Sequence, residues 1–178
     1  QGRLSAYRKD QGLPDDRVQS LLVDRRGDIW VGTWMGLARC ARGATSRTPA
    51  FAAEDSLGRQ VVTMLGQLPD GRLWAGTRDG GLFEIDADGQ QGHWLERRGE
   101  GTVFTLQAQD ADVIWLGRAS GLQLRDARDG RVLRHLRRDS RQPWSLGTNE
   151  VVTLLRDRAG WLWLGSYGGD RKSTRLNS

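Results

Sequence analysis

The chain has 178 residues, enough for one domain with a sizeable core. Its 24 glycines, 4 prolines and 8 tryptophans suit many short strands and tight turns better than a helical bundle, and no apolar run nears the roughly 18 residues a membrane span requires. The net charge of +5 is almost wholly arginine, Lys9 and Lys172 being the two lysines; Arg25, Arg26, Arg72, Arg97, Arg98, Arg137 and Arg138 are scattered beside turns, a solvated basic surface and not a nucleic-acid stripe.

In chain order, the opening "QGRLSAYRKD" reads as an outer strand that precedes the first full unit. The alternating run "VQSLLV" (18–23) then predicts a strand, "DRRGD" a polar turn, "IWVGT" a second strand and "GLARC" a third. The same grammar returns as "VVTMLGQLPDGRLWAGTRDGGLFEID" (61–86), as "VFTLQAQDADVIWLGRASGLQLRD" (103–126) and as "VVTLLRDRAGWLWLGSYGG" (151–169). After Asp88-Gly89 and Asp129-Gly130, the runs "QQGHWLE" and "RVLRHLR" supply a fourth strand.

The repeats align on Trp30, Trp74, Trp115 and Trp163, which are 44, 41 and 48 residues apart, and two positions on stand Gly32, Gly76, Gly117 and Gly165. These eight are the expected structural core of the repeat. Copy two counts 13 steps from Val61 to Trp74 against 12 from Val18 to Trp30, which reads as one extra turn residue, and copy three lacks glycine in its "QDADV" turn. A period in the forties with four strands and a Trp anchor predicts an all-β fold, a partial β-propeller of four-stranded antiparallel blades. An open β-sandwich is the alternative, disfavoured by the strict recurrence. The blades are expected over about 12–52, 57–96, 99–137 and 147–169, three near-complete and half of a fourth. Closing a ring would take more units, so the chain reads as a fragment with exposed edges.

The stretch "GLPDDRVQSLLVDRRGDIWVGTWMGLARC" (12–40) resembles the two-component regulator propeller repeat almost throughout. The segment "RRDSRQPWSLGTNEVVTLLRDRAGWLWLGS" (137–166) resembles the form that leads into such a blade. The resemblance implies the periplasmic or extracytoplasmic sensor region of a membrane-anchored bacterial signalling protein. Its output domain would be a histidine kinase or a diguanylate cyclase. The implied partners are an extracellular small molecule or oligosaccharide and the remaining blades and signalling domains of the same parent, with no nucleic acid and no direct membrane contact in this segment.

Antiparallel topology puts the turns between second and third strands on one rim with the links that enter each blade. That rim is where a propeller meets its ligand. Trp34 and Trp144 fall on it, where an aromatic face can stack on a sugar, together with Arg78, Asp79, Arg118 and Tyr167. These six are the candidate ligand-binding residues.

No catalytic, metal or cofactor site is read from the sequence. His93 and His135 stand alone on expected outer strands, and no nucleophile elbow or phosphate loop is present. "DADG" (86–89) reads as a hairpin turn and not a calcium loop, "RGD" (26–28) as another turn, Asp15 and Asp16 as a solvated turn, and the lone Cys40 as a small buried hydrophobe. A non-catalytic ligand sensor is therefore the leading function. A protein-interaction scaffold is the alternative, and a propeller lyase or hydrolase a weaker one. Residues 170–178, "DRKSTRLNS", leave the repeat where Leu should follow Gly169; they resemble an in-frame translated sequencing-library adapter and are read as non-native.

Overall fold

A computed structural model describes residues 6–43, 51–143 and 145–167. The predicted Trp144 and the tail from 170 lie outside the described residues. Four antiparallel sheets follow one another along the chain, and the architecture is all-β, a partial β-propeller. The first sheet holds β1 (Val18–Val23), β2 (Ile29–Thr33), β3 (Gly36–Cys40) and β4 (Phe51–Ala53). The second holds β5 (Val62–Gln67), β6 (Leu73–Thr77), β7 (Leu82–Ile85) and β8 (Gly92–Glu96). The third holds β9 (Val103–Ala108), β10 (Val113–Arg118), β11 (Gly121–Asp126) and β12 (Val132–Leu136). The last described pair is β13 (Thr153–Arg156) with β14 (Leu162–Gly165). Of the expected opening strand, residues 1–5 lie outside the described residues, and Lys9–Gln11 is a single 3₁₀ turn closed by Gly12 at φ 96°.

Strands β1, β5, β9 and β13 lie side by side, and three hydrophobic clusters sit between consecutive sheets. Between the first and second, Trp30 and Leu37 pack on Val62, Leu73 and Phe83. Trp74 and Leu82 pack on Val103, Ile114 and Leu116 one sheet further along, and Leu122 packs on Val151, Leu154 and Leu162 after that. The repeated glycine is explained by this stacking. A Cβ on Gly32 would lie 2.8 Å from Val62 Cγ1, one on Gly76 2.5 Å from Val103 Cγ1, and one on Gly117 3.0 Å from Val151 Cγ1. Each glycine is the hole into which the next sheet's valine fits.

Trp30 and Trp74 are buried at 1% and 0%, Trp115 is partly buried, and Trp163 is 46% exposed. Trp163 thus departs from its expected core position, because no described strand packs on the outer face of β14. At the other end Leu21 and Val23 are exposed for the same reason, whereas Leu73, Ile114 and Leu162, which occupy Ile29's register position in later sheets, are buried beneath a neighbour.

Register also relocates the irregularity of copy two. Val18 pairs with Thr33 and Ser20 with Gly32; Val62 pairs with Thr77 and Met64 with Gly76. Val62, not Val61, is the counterpart of Val18, and both lie 12 steps before their Trp. The extra residue sits instead in the β6–β7 turn, where Gly80 and Gly81 replace the single Gly36.

The "D-x-x-G-x-x-W" stretch of copies one and four has a shared mechanism. Asp24 accepts from the backbone N–H of Arg26 and Asp28 and from Trp30 Nε1, the last at 3.0 Å. Asp157 does the same with Ala159, Trp161 and Trp163 Nε1. In copy two Leu68 occupies this position, and Trp74 Nε1 donates to Glu84 instead, at 2.7 Å. Asp24→Ala should lower stability by about 2–3 kcal/mol in urea denaturation, since it orphans a buried indole N–H and uncaps the turn, and Asp24→Asn should cost less than half of that.

Arginines tie the sheets on the face that carries the β1–β2 and β3–β4 type turns. Arg25 donates to Pro69 O at 2.5 Å, Arg26 to Asp88 O, Arg39 to Gly89 O at 2.6 Å, and Arg72 to Ala127 O at 2.5 Å. Three arginines expected to be merely solvated, Arg25, Arg26 and Arg72, therefore span neighbouring blades. Carbonyls at turns attract them because turn C=O groups lack ladder partners.

Candidate functional site

The opposite face is the rim formed by the β2–β3, β6–β7 and β10–β11 turns and the links entering each sheet. Backbone bonds stitch each turn to a link: Trp34 N–H to Arg17 O, Arg78 N–H to Val61 O, and Ala119 N–H to Thr102 O. A hydroxyl staples the first two turns, with Met35 N–H donating to Thr33 Oγ1 at 3.2 Å and Gly81 N–H to Thr77 Oγ1 at 2.9 Å. By register, Trp34, Arg78, Ala119 and Tyr167 share one rim position in successive sheets.

The structure brings two of the six candidates together. Trp34 is half-buried, and Arg78 from the next sheet lies over its ring with the guanidinium carbon 4.1 Å from the centroid. Arg17, from the link into β1, lies over the same ring at 4.4 Å. Arg17 is held in turn by Asp15, donating through Nε at 2.8 Å and Nη2 at 3.2 Å. Those side-chain bonds, then the Arg17 backbone N–H, hold the Asp15 carboxyl down at about 2. A depressed carboxyl contributes stability above the ordinary carboxylate range that is lost as pH falls through about 2, so the brace stays ionised across physiological pH. Asp15 is therefore a brace for Arg17 and not one half of a solvated acidic pair.

Asp79 is exposed next to Arg78, and Tyr167 is exposed at the far end of the arc. Arg118 departs from the expected rim position. It ends β10 at the place taken by Thr33 and Thr77, and it is fully buried. Its Nη1 donates to Gly80 O at 2.9 Å and its Nη2 to Glu96 Oε2 at 2.6 Å; Arg125 Nη2 meets the same oxygen at 2.7 Å. Burial, with the positive Arg125 nearby, pulls the Arg118 guanidinium down to about 10 against the attraction of Glu96. Arg118 is thus a clasp between the second and third sheets. Its signal in the sequence was an arginine where the other copies carry Thr or Ser.

A cavity of about 300 Å³ opens on the same rim beside the β2–β3 turn, lined by Lys9, Pro14, Met35, Glu54, Asp55 and Arg59 among others. It adjoins Trp34 through Met35. Sequence reasoning did not single out Lys9, Met35 or Arg59, because a side chain on a rim loop carries no local signal of the cavity that the folded loops enclose. Elsewhere, among the described residues, no group of three His, Cys, Asp or Glu side chains could hold a metal, and no helix is long and apolar enough to cross a membrane. His93 Nε2 lies 3.9 Å from Glu84, and His135 Nε2 lies 3.2 Å from Ser120 O, a carbonyl to which it can donate.

The family model for the two-component regulator propeller matches residues 12–35 and 145–168. No curated protein matches the chain. Among solved structures, the chain is similar to the extracellular domain of BT4673 from B. thetaiotaomicron, described as a hybrid two-component system, at 25% identity and a TM-score of 0.77 over 94% of this chain and 22% of that one. It is similar in fold to the extracellular domain of BT3049 from the same organism, at 18% identity and 0.73, covering 93% and 21%. It also shares a fold with virginiamycin B lyase from Staphylococcus aureus, at 14% identity and 0.63, covering 94% and 58%. The chain spans about a fifth of the length of these two extracellular domains. The chain thus carries, in its first and fourth repeats, two stretches that match the two-component regulator propeller model, within sheets stacked as propeller blades.

Proposed function

We propose that the chain is part of a ligand-sensing propeller in the extracytoplasmic region of a membrane-anchored bacterial receptor, and that its rim binds a small molecule or oligosaccharide to bias a histidine kinase or diguanylate cyclase output. The observation that carries this reading is the match of the regulator-propeller model to two repeats of a chain that aligns over 94% of its length with a receptor's extracellular domain. The asymmetry of the two faces supports it. Arginine-to-carbonyl bonds occupy one face, whereas the rim carries the half-buried Trp34 and the exposed Arg78, Asp79 and Tyr167, with a cavity beside the β2–β3 turn. The blades and signalling domains of the same parent are the partners through which binding would be read out. The segment itself performs no catalysis in this reading; the lyase shares its fold, and a fold does not carry its chemistry along.

In the full receptor, Trp34→Ala should raise the saccharide concentration giving half-maximal output by about tenfold, because it releases Arg17 and Arg78 from the ring that holds them at the rim. Receptor output is measured against a panel of oligosaccharides. A response unchanged by Trp34→Ala, alone or with Trp144→Ala, removes the rim as the sensing site.

A further inference from the structure

Two arginines from different sheets share one indole. Stacking engages the flat face of a guanidinium and leaves its N–H edge directed outward, where it can donate. Arg17 spends that edge on Asp15. Arg78 is exposed, and among the described residues no side-chain or backbone acceptor is bonded to its guanidinium. The other arginines that span two sheets end on acceptors: Arg26 on Asp88 O, Arg39 on Gly89 O, Arg72 on Ala127 O, Arg118 on Glu96. Arg78 is held in place by a ring instead, so the orientation of its donor fork is set while the fork is unspent.

We propose that Arg78, braced on Trp34, is an oxyanion-binding position of the rim, and that the ligand it takes is an acidic saccharide bearing a carboxylate. A planar carboxylate matches the parallel N–H pair of a guanidinium, which a neutral hydroxymethyl group does not. Arg17 adds no competing demand, because its own carboxylate is already in place. Asp79, exposed on the adjoining residue, can accept from a sugar hydroxyl and disfavours a second negative charge beside the first. The inference rests on the reading of the rim as a ligand-binding face.

The test titrates the full chain with galacturonic acid, galactose and succinate, following tryptophan fluorescence and ligand NMR line broadening at low and high salt. Galacturonate is expected to bind about tenfold more tightly than galactose, the scale of one charge-assisted bidentate contact, with the preference shrinking at high salt. Arg78→Gln should abolish the preference, and Trp34→Leu, which keeps apolar bulk but removes the stack, should remove most of it. Asp79→Asn should leave it intact. Equal affinities for the two sugars, or a preference that survives Arg78→Gln, overturns the proposal while leaving the rim a saccharide site. Succinate bound through Arg78 with neither sugar bound keeps the oxyanion position and rejects the saccharide reading. Binding of none of the three overturns both. Unchanged urea midpoints for the exposed Arg78→Gln variant separate a binding loss from a folding loss.

Discussion

Replacing Glu96 by alanine is expected to lower the stability of the chain by about 3 kcal/mol, the lower end of what breaking a buried ion pair costs. Glu96 Oε2 accepts from both Arg118 and Arg125, and Arg118 has no exposed surface. Remove the carboxylate and a fully buried guanidinium keeps only the Gly80 carbonyl, with its Nε already lacking a partner. Glu96 is about a quarter exposed, with 27% side-chain accessibility, so water can partly enter the vacated space, which places the effect at the low end of that range. Urea denaturation followed by tryptophan fluorescence measures it. The triple variant Glu96→Leu, Arg118→Met and Arg125→Met should recover at least half of the loss, because a cluster replaced by apolar groups no longer leaves a charge unmatched. An Glu96→Ala midpoint equal to the parent's would show that the clasp contributes nothing to holding the second and third sheets together.

The second large effect is expected at Gly76. A Cβ there would sit 2.5 Å from Val103 Cγ1 and 2.6 Å from Val103 Cβ, and Val103 is fully buried on the innermost strand of the next sheet. A stiff, β-branched neighbour cannot swing aside, so Gly76→Val should cost about 3 kcal/mol by forcing two sheets apart. Gly165 occupies the same repeat position, yet among the described residues the atoms near a Cβ there belong to Thr153 of its own sheet, at 2.5 and 3.9 Å, with nothing from a following sheet. Gly165→Val should therefore cost less than half as much. Equal losses at the two positions in parallel denaturation curves would mean that the glycine serves strand geometry and not blade stacking.

This contrast marks how far the residues could be read without coordinates. Trp at four positions with Gly two residues on was enough to expect blades, because packing identical sheets against one another imposes the same hole and the same ring on every copy. The rim too was legible: antiparallel pairing forces turns and links of alternate strands to one end, and Trp34 and Arg78 were placed there together. Copy two was misaligned by one residue, since "VVT" occurs in copies two and four but pairs one residue apart; only the cross-strand partners of Met64 and Thr153 show it. Position puts Arg118 on the rim, at the β10–β11 turn, and only the arrival of Glu96 from another sheet makes its burial tolerable.

By itself the sequence determined the local and periodic features of this protein: strand alternation, turn chemistry, and a repeat whose spacing admits a propeller. These are written in neighbouring residues, and each copy states them again. Tertiary structure alone decided which charges meet. Asp15 and Arg17 are near in sequence, but Arg17 and Arg78 share Trp34, Arg118 reaches Glu96, and Arg25, Arg26 and Arg72 cross to turns of the next sheet. Such pairings join residues some 20 to 60 positions apart whose side chains are long and flexible, so no pattern within one repeat specifies them; they exist only once the hydrophobic stacking of the sheets has brought their ends together.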